Sequence, residues 1–273
     1  PKQFRITLSS PSSGTGIGTY NAISVLIEDP AASLPGPWTQ AIVGTITDSS
    51  PAVQAEGVIS STTMGGSGLA TAATSEAGQF VYQSRSGDGV LTAYIPAASP
   101  AQTGARYAVM IRENTGGGAL MAATSTSTST GDGTKMAYRA TASATATYSG
   151  GVTQVAPRWI RITRAGNSFT SESSTDGINW SSHSTASVAM ASTALWGVFH
   201  HSDDRSGTTY SGNYQVAGFQ NVAFSAISGP GAPGTLSGTV PTPGRVTLTW
   251  GAGALAAGYR IERRAENGIF AQL

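Results

Sequence analysis

Short segments of alternating apolar and polar residues, separated by glycine-containing turns, recur along most of the chain. The alternation predicts strands at residues 41–47, 57–64, 79–83, 89–95, 107–113, 120–125, 136–140, 159–165, 168–173, 195–201 and 215–224. Turn residues such as Gly87-Asp88-Gly89 and Asp176-Gly177 separate nearly all of them. A period of two turns one face of each strand toward a core, so the pattern predicts an all-β sandwich or jelly roll.

The composition excludes the main alternatives to a β fold. Lys, Arg, Asp and Glu make up 11% of the chain, whereas Gly, Ser and Thr account for 104 of its 273 residues. Amphipathic helices need long charged side chains on their exposed face, which excludes a helical bundle or coiled coil. A net charge of +1 offers no electrostatic basis for binding nucleic acid. The longest apolar runs fall short of the roughly 20 residues of a membrane helix, so no membrane insertion is expected.

Two proline-rich segments divide the chain into predicted domains. Prolines 30, 35 and 37 cannot continue a central strand, and they predict a linker at residues 31–40. A second linker is predicted at residues 228–234, which leaves 41–227 as one sandwich. Residues 1–30 are expected to form a hairpin, and residues 235–273 carry two more alternating runs. The chain begins with Pro1 instead of Met, so we expect a piece of a longer protein.

The central segment resembles a known kind of module. Five motifs occur in order, and the longest of them is Arg158-Trp-Ile-Arg-Ile-Thr-Arg-Ala-Gly-Asn-Ser-Phe169. The others lie at residues 80–83, 86–93, 108–113 and 174–180. This series is similar to the concanavalin-like, laminin-G-like sandwich module of large bacterial secreted proteins. The resemblance implies a jelly-roll sandwich, an extracellular or cell-surface location, and a non-catalytic role as an attached domain.

Shorter resemblances flank the central module. Residues 4–8 with 23–27 resemble the last two strands of a Calx-beta domain, a family whose acidic tail can bind calcium; here that tail is Glu28-Asp29. The segment around Trp250 and Tyr259 resembles the first strands of a fibronectin type III domain, with both aromatics at core positions. Together the resemblances imply a concanavalin-like jelly roll flanked by partial immunoglobulin-like sandwiches.

The densest group of titratable residues follows the strand at 195–201. His200 and His201 are adjacent, so on a strand they point to opposite faces and do not readily share one metal. Asp203, Asp204 and Asn213 offer the oxygen ligands that calcium prefers. We therefore predict a candidate calcium site in this loop, with a solvated loop as the alternative.

Four residues are predicted to contact a ligand. Tyr82 and Arg112 lie on predicted strands of the sandwich, and Tyr210 and Tyr214 lie in the loop after residue 201. Aromatic rings and hydroxyls suit sugars, and loops at the end of a sandwich often carry binding. For Arg112-Glu113 the alternative is a buried or edge ion pair with Arg158 or Glu172.

Trp180 follows the turn Asp176-Gly177 and is predicted to be structural. Asp and Gly supply the turn conformation, and the indole is expected to cover the hairpin that includes residues 168–173. The alternative is a platform on which a sugar stacks.

The sequence offers little support for catalysis. Glu113 and Glu172 are the carboxylates of the central domain that lie on predicted strands, and neither a nucleophile elbow nor a histidine zinc motif is present. We predict a non-catalytic binding or adhesion module for a glycan or cell-surface polymer. The alternatives are a spacer or filament subunit that exchanges strands with neighbouring copies, and an accessory region of a glycoside-degrading enzyme.

Overall fold

The computed structural model describes residues 2–7, 22–27, 33–69, 73–96, 104–202, 205–206, 209–210, 214–227, 236–242, 245–250, 262–263 and 271–272, with backbone alone for the isolated pairs and for the first two ranges. Within these ranges the chain forms strands and no helix. The strands are β1 Lys2–Thr7, β2 Ala22–Ile27, β3 Thr39–Val43, β4 Asp48–Ala55, β5 Val58–Met64, β6 Gly78–Ser86, β7 Gly89–Ile95, β8 Arg106–Arg112, β9 Met121–Thr126, β10 Thr134–Arg139, β11 Thr147–Val152, β12 Arg158–Ala165, β13 Ser168–Ser174, β14 Ser181–Ser187, β15 Thr193–His201, β16 Arg205–Ser206, β17 Thr209–Tyr210, β18 Gln215–Ser225, β19 Ser237–Thr242, β20 Arg245–Thr249, β21 Glu262–Arg263 and β22 Ala271–Gln272.

Fourteen of these strands form two seven-stranded antiparallel sheets. Sheet I has the order β11-β10-β9-β8-β15-β6-β3, and sheet II has the order β14-β13-β12-β7-β18-β5-β4. In each sheet a late strand, β15 or β18, is inserted between early ones, so neighbours in space are distant in sequence. This arrangement confirms the predicted all-β, jelly-roll sandwich.

The main core lies between the two sheets. Alternate residues of each strand point into it, as Ile160 and Ile162 do on β12 and as Trp196 and Val198 do on β15. Phe219 of β18 and Phe169 of β13 are also fully buried there. The intervening residues therefore point to the outer faces, which we define as the faces turned away from the other sheet.

The outer face of sheet I carries a second apolar layer. Phe80, Met110 and Phe199 project from its strands and form a buried cluster with Leu69, which lies outside the strands. Ser67 pairs with Ala77 through two backbone hydrogen bonds of 2.9 Å. The segments at 65–69 and 73–77, which we call the covering segment, thus keep this face from solvent.

Polar contacts join the two sheets at both edges. On one side, the hydroxyl of Ser149 in β11 donates to that of Ser184 in β14 at 2.8 Å. On the other side, Gln40 Oε1 of β3 accepts a hydrogen bond of 2.6 Å from the backbone N–H of Ala52 in β4. The four edge strands are thus tied in pairs across the sandwich, and the backbone N–H of Ala52 is used within the fold.

The first half of the Thr/Ser-rich segment at 124–130 is buried. Thr124 to Ser127 have no exposed surface. Thr124 Oγ1 donates to the Arg161 carbonyl at 2.6 Å and lies 2.8 Å from the Ser171 hydroxyl of sheet II. Hydroxyls can enter this core because they find partners, as Thr124 does across the sandwich and Thr126 does at 2.8 Å with Thr134 of neighbouring β10.

Three of the four edge strands were not predicted. They are β4, β11 and β14; β11 and β14 are rich in Ser, Gly and Thr, and Pro51 interrupts the pattern in β4. Edge strands have little core to contribute, so the alternation that marks an interior strand is weak in them. The interior strand β7 has the bounds that the sequence predicted.

The chain divides into two compact units, residues 1–226 and 227–273. In the first, β1 pairs with β2 in the predicted hairpin. In the second, β19 pairs with β20 and β21 pairs with β22.

Leu34 and Trp38, inside the segment predicted as a linker, pack against the main core. The Calx-beta and fibronectin assignments and the predicted domain bounds stay predictions. No helix of the described residues has the length and apolarity needed to cross a membrane.

Candidate functional site on the outer face of sheet II

A buried ion cluster fills one end of the outer face of sheet I. Glu76 of the covering segment receives hydrogen bonds of 2.7 and 2.5 Å from Arg139 of β10. Arg112 of β8 lies 3.8 Å from the same carboxylate, and all three side chains have 0% exposure. Arg139 also donates to the carbonyl oxygens of Ala73, Gly117, Ala119 and Ala144. The cluster therefore fastens the covering segment and two further loops to the sheet.

Arg112 was a candidate ligand contact, and the structure places it inside this cluster. Its guanidinium donates to the carbonyl oxygens of Asn114, at 2.7 Å, and Gly116. Burial lowers the pKa of Arg112 to about 10, with Glu76 acting in the opposite direction. A fully buried side chain offers no donor to a ligand at the surface. The ion-pair alternative is found for Arg112, but its partner is Glu76 and not Glu172.

Of the other candidates, Tyr82 lies on β6 of sheet I, and Tyr214 lies directly before β18 of sheet II. Tyr82 is half-buried on the outer face of sheet I, where its ring stacks on Phe80 at 5.0 Å. Tyr214 is 46% exposed, and its hydroxyl donates to Asp48. That hydrogen bond lowers the pKa of Asp48. Tyr210 lies on β17, for which the backbone is described.

The predicted calcium ligands Asp203, Asp204 and Asn213 lie outside the described residues. Within the described part of the chain, no three His, Asp or Glu side chains are grouped so that they could hold a metal ion. The calcium site therefore stays a prediction.

The outer face of sheet II carries aromatic and charged side chains that sequence reasoning did not bring together. Trp159 and Arg161 project outward from β12 because their neighbours Ile160 and Ile162 point into the core. Tyr94 of β7 pairs with Trp159 across the strands, and their ring centroids are 5.2 Å apart. Arg161 pairs with Glu172 of β13 in the same way.

Arg161 and Glu172 form a two-point ion pair at the surface. Arg161 Nε donates to Glu172 Oε2 at 2.7 Å, and Nη2 donates to Oε1 at 2.9 Å. The Arg161 side chain is 27% exposed and that of Glu172 is 15% exposed. The two parallel hydrogen bonds fix the geometry of the pair, and its partial exposure leaves it accessible to a molecule at the surface.

Trp180 lies on this ion pair. The guanidinium carbon of Arg161 is 4.1 Å from the centroid of the Trp180 ring, a cation–π contact. Trp180 is partly exposed, and Arg161 covers part of its ring. The described contact of Trp180 is with Arg161 of β12, and its predicted packing over the hairpin that includes residues 168–173 stays a prediction.

The turn before Trp180 is rigid because one carboxylate organises it. Asp176 Oδ1 accepts hydrogen bonds of 2.8 Å from the backbone N–H groups of Ile178 and Asn179, and Oδ2 accepts one of 2.7 Å from the Asn179 side chain. These bonds, first those from Asn179, hold the pKa of Asp176 well below its usual range. Gly177 has a φ of +76°, and its backbone packs on the Trp159 indole.

We call Tyr94, Trp159, Arg161, Glu172 and Trp180 the aromatic platform. It combines partly exposed rings with a charge-paired donor and acceptor, and Ile178 beside it is 80% exposed. Rings of this kind pack on apolar faces, while a fixed guanidinium and carboxylate bind hydroxyls. The platform therefore suits a flat molecule with an apolar face and a hydroxylated edge.

A signal for the platform is present in the sequence. β12 and β13 are joined by the two-residue turn Gly166-Asn167, which fixes their register. Counting back from that turn places Arg161 opposite Glu172. The contact of Trp180 with Arg161 depends on how the longer turn folds back, and strand periodicity does not contain that information.

Comparison with solved structures finds proteins of low sequence identity that align with much of this chain. A functionally unknown protein from Saccharomyces cerevisiae aligns with a TM-score of 0.50 and 16% identity, over 69% of this chain and 96% of that one. A β-glucanase from Bacillus licheniformis aligns with a TM-score of 0.39 and 12% identity, over 69% and 91%. Peanut lectin aligns with a TM-score of 0.37 and 9% identity, over 82% of this chain and 97% of that one.

At these identities the likeness is one of fold. No protein-family model matches the chain, and no curated protein matches it.

Proposed function

We propose that the chain is a non-catalytic carbohydrate-binding module and that the aromatic platform is its binding surface. The observation that carries the proposal is the stack of Trp180 on the Arg161–Glu172 pair, beside the Tyr94–Trp159 pair. Exposed large aromatics and arginines are the residues that dominate binding surfaces. The low charge and many hydroxyls of the sequence suit a glycan or a cell-surface polymer.

The state of the carboxylates supports a non-catalytic role. Glu76, Asp132 and Glu172 are each paired with an arginine. Asp88 accepts a hydrogen bond of 2.7 Å from the Gly166 N–H, and Asp176 organises the turn before Trp180. Hydrolysis of a glycosidic bond requires two carboxyl groups free to act as acid and as base or nucleophile across one cleft. Each of these five carboxylates is thus already paired or hydrogen-bonded within the chain.

A glycan array with the whole chain tests the proposal, run with and without calcium because of the candidate ligands Asp203, Asp204 and Asn213. Binding to at least one glycan is expected. In Trp180→Ala, affinity for that glycan should fall about 30-fold, the effect of losing about 2 kcal/mol at a central aromatic contact. The fold of the variant is checked by circular dichroism.

Tyr82→Ala is the matched control, because it removes an aromatic from the outer face of the other sheet. Its affinity should stay within about twofold of the parent chain. The reverse result, with binding lost in Tyr82→Ala and kept in Trp180→Ala, would move the ligand to sheet I. An array without any binding would remove the proposal.

A second candidate function is assembly through the second unit. Leu236, Val240 and Val246 in and beside β19 and β20 are 63%, 68% and 63% exposed. Apolar side chains on a two-stranded sheet favour pairing with further strands. Strand exchange between copies would build a filament or spacer, whereas sedimentation as a monomer at rising concentration would remove this candidate. Both candidates fit an extracellular or cell-surface protein, including an accessory region of a glycoside-degrading enzyme.

A further inference from the structure

We propose that the aromatic platform selects uncharged pyranose sugars over uronic acids and that the Arg161–Glu172 pair sets this selectivity. This inference rests on the proposed function, because it names the ligand class of the same site.

The Arg161–Glu172 pair presents both hydrogen-bond donors and acceptors at the surface of the platform. Nε and Nη2 of Arg161 each direct one N–H to Glu172, at 2.7 and 2.9 Å, and both side chains remain partly exposed. Arg161 thus has further N–H donors, and each carboxylate oxygen of Glu172 has further acceptor capacity. A sugar hydroxyl both donates and accepts. Two neighbouring hydroxyls of one ring can therefore engage the carboxylate and the guanidinium together.

The charged groups of the platform and of the adjoining turn are more acidic than basic. Glu172 neutralises Arg161, and Asp176 adds a negative charge in the turn that carries Trp180. The three groups together have a formal charge of −1. A uronate would bring its carboxylate to a guanidinium that is already paired and to two carboxylates. Repulsion between like charges in a binding surface disfavours a partner of the same sign and leaves an uncharged partner unaffected.

Trp180 and Ile178 provide apolar surface for a ligand. Trp180 offers the part of its ring that Arg161 does not cover, and the exposed Ile178 lies two residues before it. The C–H face of a pyranose ring is the complementary apolar surface, and it is the same in neutral and acidic sugars. Discrimination between the two classes must therefore come from the ion pair.

The experiment compares neutral hexasaccharides of glucose, xylose and mannose with hexauronates of galacturonate and mannuronate, by isothermal titration calorimetry. The parent chain should bind its best neutral ligand about tenfold more tightly than any uronate, which corresponds to about 1.4 kcal/mol. Glu172→Gln removes one negative charge with little change of shape and leaves Arg161 with its full charge. Uronate affinity should then rise about tenfold, while neutral affinity changes by less than about threefold.

Glu113→Gln is the control, because it removes an exposed carboxylate next to β8 in sheet I and changes net charge equally. It should leave both classes unchanged. Uronates that bind the parent chain as tightly as neutral sugars, or a Glu172→Gln variant without gain for uronates, would overturn the inference while the proposed function stands. A parent chain that binds neither class would overturn both.

Discussion

The two outer faces of the sandwich carry the same chemical unit in opposite solvent environments. On each face an arginine donates two hydrogen bonds to one glutamate. Arg139 and Glu76 over sheet I are completely buried, whereas Arg161 and Glu172 on sheet II keep 27% and 15% of their side-chain surface exposed. The geometry of a pair therefore does not decide its role; its access to water does.

Burial obliges the pair over sheet I to find partners for its remaining donors. Arg139 uses carbonyl oxygens from three loops, which ties those loops to the sheet. The contacts described for Arg161 are Glu172 and the Trp180 ring. The buried pair is consequently a fastening for the covering segment, and the exposed pair retains hydrogen-bonding capacity for a ligand.

The largest expected effect is that of Glu76→Gln. The substitution leaves Arg139 and Arg112 buried without a counter-charge, and breaking a buried ion pair in this way costs about 3–5 kcal/mol. Urea unfolding followed by tryptophan fluorescence measures the change. A loss below about 1 kcal/mol would mean that water reaches the cluster, and the contrast between the two faces would fail.

Two glycines should respond unequally to alanine. At Gly66, with φ +94°, a Cβ would collide with the Ala77 carbonyl oxygen and lie 2.8 Å from the Cβ of buried His201. At Gly177, with φ +76°, it would lie 2.9 Å from the Trp159 ring at the surface. We expect a loss of about 3 kcal/mol for Gly66→Ala and about 1–2 kcal/mol for Gly177→Ala.

The same urea titration measures both alanine variants. Equal losses would indicate that the covering segment yields as readily as the turn at Gly177, and it would then be no fastened layer. A Gly177→Ala variant of normal stability that loses glycan affinity would instead show that the turn positions the platform.

Glu172→Gln should change stability by less than about 1 kcal/mol, the usual value of a solvent-exposed ion pair. The substitution is chemically identical to that at Glu76, so the difference between the two free energies of unfolding measures the effect of burial directly. A loss of about 3 kcal/mol or more would place Glu172 among the structural residues and remove its role in ligand selection.

The sequence predicted the interior of the sandwich better than its edges and its faces. β7 and β12 alternate strongly because one side of each faces the core, and their bounds were predicted within one residue. The alternation is lost in β14, where most residues are Ser or Thr and one alanine is buried. The burial of the β9 hydroxyls escaped prediction because their partners come from other strands: Thr124 bonds across to sheet II, and Thr126 pairs with Thr134 of β10.

The two ion pairs differ in how far the sequence determines them. Arg161 and Glu172 face each other across a hairpin with a two-residue turn, so local register suffices to pair them. Glu76 reaches Arg139 from a segment 63 residues away, and that contact depends on how the covering segment crosses sheet I. A non-local contact of this kind follows from the assembled fold and not from any periodicity.

The smallest expected effect is the response of the platform to acid. The hydrogen bonds from Asn179, Ile178 and Ser174 favour the ionised form of Asp176 and hold its pKa below the ordinary value of 3.8. A pKa that is lower in the folded state means that proton binding favours the open turn. The stabilisation is therefore complete above the ordinary value and is lost as pH falls through the lowered one. Near neutral pH neither stability nor glycan binding should depend on this group.

Carboxyl carbon shifts measured by NMR between pH 7 and strong acid would test this. Asp176 should titrate below 3.8, and the amide signals of Ile178 and Asn179 should move with the same midpoint, since they donate to that carboxylate. Asp176→Asn removes the titration and serves as the control. A midpoint at or above 3.8 would mean that the packing of Gly177 on Trp159 holds the turn by itself, and the negative charge beside Trp180 would then not be anchored there.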